Sequence, residues 1–313
     1  MPRTPDVLRL SISIIFTVAV IGIASAYLDW SLAIGALRTA DGNLLGLAFV
    51  LFATNWGLRT IRFHTLLGTP ANQYQSLLGV TMLHGMFSYM LPAKSGEFSY
   101  LLLARKHLNV TLPVSAATLI VARLFDFSVI AILLPVSILV LGADYPAWLD
   151  TGALIYCVAV LGAVGVLFGI MQYEYSWQPS GKKHWWYRPA QALMSTLNAL
   201  RDIHNAQQYL RLWSLSFGIW VCILMQFFCI TASLGFQPEL AHMVVISVIL
   251  IPLTLIPVQG VANVGTHEAA WITGLSLFGY DFDSSLVIAV TSHVAIFSMF
   301  LILGLVGYAI LRR

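Results

Sequence analysis

The chain has 313 residues, 59% hydrophobic and 9% charged, with a mean hydropathy of +0.84 and a formal net charge of +3. A soluble domain carries about 25% charge, so a soluble globular protein is excluded, and surrounding lipid rather than an oversized core accounts for the apolar surface. The small positive balance bears on membrane topology and gives no reason to invoke nucleic acid.

The first apolar run, residues 8–28, follows Arg3 and Arg9. It is longer than the core of a signal peptide and no clean small-residue cleavage site follows, so a retained span is expected. Residues 44–64 predict a second span. Two shorter runs come next, 74–91 and 96–104, divided by PAKSG at 92–96. Neither reaches the roughly 20 residues that a helix needs to cross the hydrocarbon. Spans are predicted at 113–141 and 152–171. The segment 172–211 is the longest that does not span. Its YEYSWQPSGKKHWWYRP at 173–189 suits an interfacial belt, and Leu193, Leu197, Leu200 and Ile203 recur at helical spacing, predicting an amphipathic helix on the cytoplasmic surface. A span at 212–234 precedes two more short runs, 243–257 and 266–279, divided by PVQGVANVGTHE at 257–268, and a final span covers 284–311. Cys157, Cys222 and Cys229 lie inside apolar runs without CxxC spacing and read as packing residues, not as a metal site or disulfide.

Charge decides how the short pairs run. If both are re-entrant hairpins and the N-terminus is cytoplasmic, thirteen of the sixteen basic residues face the cytoplasm. Arg59 and Arg62, at the end of the second span, are among them, only Arg38 falls outside, and Lys94 and Arg123 lie in the membrane. If each pair crossed once, seven of those thirteen would move outside. The expected fold is therefore an all-α polytopic membrane protein, six spans plus two re-entrant helical hairpins, with both termini cytoplasmic. It forms a single transmembrane domain over 1–313, built as an inverted repeat of approximately 8–141 against 152–311. Helices broken at matching positions in two halves are the sequence pointer to a transporter site.

The ionisable groups left at membrane depth are His84, Lys94, Glu97, Arg123, Asp126, His267, Glu268 and His293. Such charges are costly in lipid, so they pair and face the protein interior. Pro92 and Gly96 break the first hairpin, and Glu97 opens its returning helix, where the free N–H groups favour an anion. Lys94 and Glu97 either neutralise each other or hold a ligand. A self-satisfied pair is readily replaced by apolar residues, which favours the ligand. Arg123 and Asp126 share a helix face three residues apart, as a structural ion pair or as a phosphate-binding fork held by its carboxylate. In the second half Pro257, Gly260 and Gly265 break the chain, Gln259 and Asn263 offer neutral hydrogen bonds, and Glu268 is the counterpart of Glu97. His267 and His293 are candidates for carrying a proton, although a lone histidine in a span is more often a packing residue. The sequence holds no GxSxG, HExxH, P-loop or zinc spacing, so no catalytic residue, metal or cofactor is expected.

In order along the chain, LPAKSGE with the following Arg105 and Lys106, then VARLFD, then IPVQGVANVGTHEAAW resemble the lysylphosphatidylglycerol synthase transmembrane-region family, or flippase-like domain. The likeness covers nearly the whole chain and falls on Pro92, Lys94, Gly96 and Glu97, on Arg123 and Asp126, and on Gly265 and Glu268. Lys94 stands where the family more often has arginine. The resemblance implies movement of a polar-headed lipid between leaflets. Bifunctional members carry an aminoacyl-transferase domain after the membrane region, and this chain stops at Arg313, so it is not expected to synthesise the lipid.

The combined expectation is a non-enzymatic lipid transporter of a bacterial or archaeal cytoplasmic membrane. A phosphate-bearing headgroup enters a cavity between the hairpins, touching Lys94, Glu97, Arg123, Asp126, Gln259, Asn263 and Glu268, with His267 and His293 available for proton coupling. Partners are the lipid and, in one version, a lipid-synthesising enzyme. The alternatives are a membrane enzyme transferring a group onto a lipid carrier, and an accessory subunit of an envelope-lipid synthesis complex.

Overall fold

A computed structural model describes residues 4–91, 95–141, 147–172, 191, 194–198, 206–236, 239–255 and 260–312, and all regular structure among them is helical. In chain order the helices are α1 (Thr4–Tyr27), α2 (Trp30–Arg38), α3 (Gly42–Leu67), α4 (Tyr74–Met90), α5 (Glu97–Leu108), α6 (Leu112–Leu141), α7 (Trp148–Gln172), α8 (Ala206–Ser233), α9 (Leu240–Leu255), α10 (Thr266–Ser276) and α11 (Phe282–Leu311). Five of them, α3, α6, α7, α8 and α11, contain stretches long and apolar enough to cross a membrane, and α1 with α2 makes a sixth if that bent pair counts as one span. The protein is an integral multi-pass membrane protein.

The boundaries follow local chemistry. Asp41 caps α3 by accepting from the backbone N–H of Asn43 at 2.7 Å, and Asp281 caps α11 by accepting from that of Ser284 at 2.8 Å. Gly68, at φ +60°, ends α3 in the left-handed conformation that a residue with a side chain avoids. α2 is an element the hydropathy pattern does not predict. Asp29 caps it, accepting from Ser31 N–H at 2.9 Å and Leu32 N–H at 3.0 Å, and it lies at 88° to α1.

Four of the short helices pack in two pairs, α4 on α5 and α9 on α10. Each pair also packs against a long helix of the other half of the chain, α4 against α11 and α9 against α6, while α3 lies along α8. Close approach of α4 and α11 depends on Gly79, Gly304 and Gly307: a Cβ on Gly304 would sit 2.1 Å from the Met86 sulfur. Aromatic cores flank this crossing. Phe52, Trp56, Tyr89 and Met299 form one with Phe300, and Trp271, Met243 and Ile288 form another with Phe227. The cysteines are free, Cys222 and Cys229 buried, and the Cys157 thiol donates to the Ala131 carbonyl at 3.3 Å. Most of the expected amphipathic helix, with Leu193, Leu200 and Ile203, lies outside the described residues, as does the aromatic segment before it. Leu197 packs partly buried beside Phe63 and Leu212.

Candidate functional site

Two charged clusters occupy the helix bundle. The first joins α3, α4, α5, α6 and α8. Arg62 is sealed, 1% exposed, against Asp126 at 4%. Its Nη1 donates to Asp126 Oδ1 at 2.5 Å and its Nη2 to Oδ2 at 3.2 Å, a two-point fork, and Nη1 also donates to Ser216 Oγ at 2.8 Å. Asp126 therefore spends both oxygens on a residue 64 positions earlier, not on Arg123 on its own helix face. Arg123 approaches Asp126 only to 3.8 Å and instead donates from Nη2 to Glu97 Oε1. This second pair is open, with Arg123 38% and Glu97 22% exposed. It ties the first turn of α5 to α6. The far oxygen of Glu97 faces His84 Nε2 at 4.0 Å, and His84 Nδ1 is within 3.1 Å of the hydroxyls of both Ser88 and Ser99.

Gly96 owes its place to close packing. Its φ of −63° is an ordinary helical value, but a Cβ there would lie 2.1 Å from the Phe87 carbonyl oxygen. Only a bare α-carbon lets α5 start against the end of α4.

The second cluster lies where the chain enters α10. Ala262 and Asn263 have φ of +57° and +63°, and Gly265 has φ +90°. Glu268 Oε2 accepts from the Gly265 N–H at 2.7 Å, closing the start of the helix. Glu268 Oε1 meets His293 Nδ1 of α11, and His293 Nε2 donates to the Ala262 carbonyl at 2.8 Å. A carbonyl only accepts, so the Nε2 proton is fixed. One further proton lies between Nδ1 and Oε1, and whichever atom holds it the pair is neutral overall. His267 Nε2 lies 3.3 Å from Ser292 Oγ, and its ring is 4.7 Å from that of His293. The Asn263 carbonyl accepts from the Thr266 hydroxyl at 2.9 Å.

A mainly apolar cavity of about 430 Å³ runs between α1 and α11 down to Glu268 and His293, passing Thr17, Ala262 and Phe297. Glu97, Arg123 and Asp126 do not line it. The clusters meet through α4, which carries His84, hydrogen-bonded to Ser88, to 4.0 Å from Glu97 and sets Tyr89 edge-on to His293, with ring centroids 5.9 Å apart. Gly260 lies under α1, where a Cβ would approach the Thr17 hydroxyl to 2.8 Å. Pro92, Lys94, Pro257 and Gln259 lie outside the described residues. Among the described residues no three His, Cys, Asp or Glu side chains converge as a metal would require.

Sequence reasoning missed Arg59 and Arg62, which it placed among the cytoplasmic charges. Arg59 Nε donates to Asn55 Oδ1 at 2.7 Å, and its guanidinium lies 5.1 Å from the Trp56 ring centre. The spacing of Asn55, Arg59 and Arg62 on one helical stripe was the available signal.

The family model described as the lysylphosphatidylglycerol synthase TM region matches residues 8–304. The chain belongs to that family. Its members' association with membrane lipids extends to this chain as a membrane-lipid function. The glycosyltransferase AglD of Haloferax volcanii is similar over 165 residues at 27% identity, a match that takes in 51% of this chain and 26% of that protein. No solved structure matches.

Proposed function

We propose that this member of the lysylphosphatidylglycerol synthase TM region family moves a polar-headed, phosphate-bearing lipid between leaflets without altering it chemically. The observation that carries the reading is the contrast within the first cluster. Arg62–Asp126 is closed to everything, whereas Arg123–Glu97 is half open at the start of a short helix. A purely structural pair gains nothing from that opening, and a charged headgroup needs it. The helix pairing supports an inverted repeat, because α4–α5 leaning on α11 mirrors α9–α10 leaning on α6. In this reading the short pairs are re-entrant hairpins entering from opposite sides, and both termini are cytoplasmic in a bacterial or archaeal cell. Without an ATP-binding motif, movement is downhill or coupled to protons.

The test is reconstitution in liposomes with fluorescent phospholipids and a membrane-impermeant quencher. Glu97→Gln and Arg123→Ala are expected to slow movement at least tenfold. Equal rates in these variants and the wild type would remove the site. A second reading, a membrane enzyme acting on a lipid carrier, draws on the printed name of the AglD relative. It is favoured over transport if purified protein changes the mass of a lipid substrate under the same conditions.

A further inference from the structure

The crevice between α1 and α11 is held by two contacts with a gap between them. At one end Leu28 shares a buried cluster with Leu286 and Val287, at the start of α11. At the other the Thr17 hydroxyl accepts from the Val261 N–H at 2.8 Å, tying α1 to the turn before α10. Between these points α1 presents Val20, Ile21 and Ala24, α11 presents Val290, Val294 and Phe297, and the helices stand apart around the cavity of about 430 Å³. Pockets for small ligands run from about 300 to 1,000 Å³. Ile21 and Val294 are exposed, so the cavity opens sideways to what surrounds the bundle, which is lipid hydrocarbon.

Among these apolar walls Glu268 and His293 form a polar floor. It lies deep. His293 is roughly 17 Å along α11 from Phe282 at about 1.5 Å per residue, half the thickness of a hydrocarbon core of about 30 Å. His293 spends Nε2 on the Ala262 carbonyl at 2.8 Å and turns Nδ1 to Glu268 Oε1, so both ring nitrogens are committed. Glu268 Oε2 accepts from the Gly265 N–H at 2.7 Å. A carboxylate oxygen can take a second bond, so what the pair still offers a ligand is acceptors. An anion or an ether oxygen, which only accepts, finds no partner there. A hydroxyl or amino group does, at a depth where no water competes for it.

We propose that this crevice binds a single hydrocarbon chain carrying a hydroxyl or amino group, which enters sideways past Ile21 and Val294 and donates a hydrogen bond to Glu268. The hydroxyl and the amine share one chemistry, a donor on an apolar chain. The site goes beyond the transport reading. Glu97 and Arg123 do not line it, and it selects a donor where they would select a phosphate.

The experiment places the full-length protein in dioleoylphosphatidylcholine nanodiscs with 1-hexadecanol, hexadecylamine or hexadecyl methyl ether at equal mole fraction, each carrying a mid-chain diazirine. After irradiation, peptide mass spectrometry reads which residues are labelled. The alcohol or the amine is expected to label the Val20–Ala24 and Val290–Val294 faces about threefold to tenfold more than the ether, the worth of one hydrogen bond. Alcohol labelling at or above that of the amine assigns a hydroxyl end, and amine labelling about tenfold above the alcohol assigns an ammonium. Ether labelling equal to both overturns the pairing with Glu268. Ala24→Phe fills the crevice without touching the pair and should cut labelling there at least about tenfold. Labelling unmoved in an Ala24→Phe protein that melts like wild type overturns the crevice. Glu268→Met removes the acceptor and should bring alcohol and ether level, while the Ala24→Phe arm decides the site even where Glu268→Met fails to fold. Donor-selective labelling without transbilayer movement would sink transport and leave this site standing. Movement with the crevice unlabelled does the reverse.

Discussion

Asp126→Asn tests the sealed ion pair directly. The carboxylate and Arg62 are both almost fully buried, and the fork uses both carboxylate oxygens. At an effective dielectric of about 20, two unit charges about 4 Å apart attract by roughly 4 kcal/mol. Removing one partner of a buried pair costs about 3–5 kcal/mol, because the remaining charge has lost its compensation. Ser216 still accepts from Arg62 in the variant, and the new amide oxygen can take one bond, so the lower end, about 3 kcal/mol, is expected. The double variant Arg62→Met with Asp126→Leu removes both charges and keeps comparable bulk. It should lie within about 1 kcal/mol of wild type, since an apolar pair replaces a buried ion pair with little net loss. Equilibrium unfolding in mixed micelles, followed by helicity, measures both. Two results would refute the reasoning: a loss under about 1 kcal/mol for Asp126→Asn, or a double variant as weak as the single. The double variant also separates roles, because lipid movement surviving in it would make Asp126 a positioning residue and leave the headgroup to Glu97 and Arg123.

Gly96→Ala should destabilise by about 1–3 kcal/mol, since its Cβ meets the Phe87 carbonyl oxygen, a backbone atom that cannot swing aside. An unchanged melting midpoint would contradict the close approach of α4 and α5. His293→Ala strands Glu268 in the bundle and should cost about 3 kcal/mol in the same unfolding assay, with much of that recovered by adding Glu268→Gln. If the second change worsens the first, the pair does not share a proton as described. At the start of α11, the backbone N–H of Ser284 holds the Asp281 carboxyl below its usual range. A depressed folded-state pKa contributes stability above the unfolded value, and that contribution is lost as pH falls through the folded value. The wild-type midpoint should thus fall on acidification below the ordinary aspartate range, and Asp281→Asn should flatten that limb, as a melting series in pH would show.

The long elements were legible because lipid imposes length and apolarity together. The run at 113–141 became Leu112–Leu141, and 284–311 became Phe282–Leu311. The short pairs were legible from their breaks, since Pro92 and Gly96, and Gly260 and Gly265, interrupt runs too short to cross. α2 was not, because Trp30–Arg38 mixes exposed and buried residues over two turns and its signal is the Asp29 cap rather than a hydropathy peak. Glu97, Arg123, Asp126 and Glu268 stood out as charges within apolar runs. Their partners did not. Arg62 ends an apolar run in sequence, where a basic residue marks a cytoplasmic edge, and only the packing of α3 on α6 and α8 places it beside Asp126 and Ser216. Similarly, His293 is a solitary histidine on its helix until α10 brings Glu268 to its Nδ1.

The two helix pairs are built alike and charged unlike, and the difference divides their work in the transport reading. The first cluster keeps the Arg123–Glu97 pair part-exposed, which in that reading leaves room for a headgroup. The second is paired throughout. His293 Nε2 holds Ala262, Glu268 Oε2 holds the Gly265 N–H, and the facing atoms share one proton. A fully paired group has little to offer an anion. α4 faces both clusters, with His84 near Glu97 and Tyr89 on His293. In the transport reading, a shift of that one helix at the first cluster would also reach the paired Glu268 and His293 at the second.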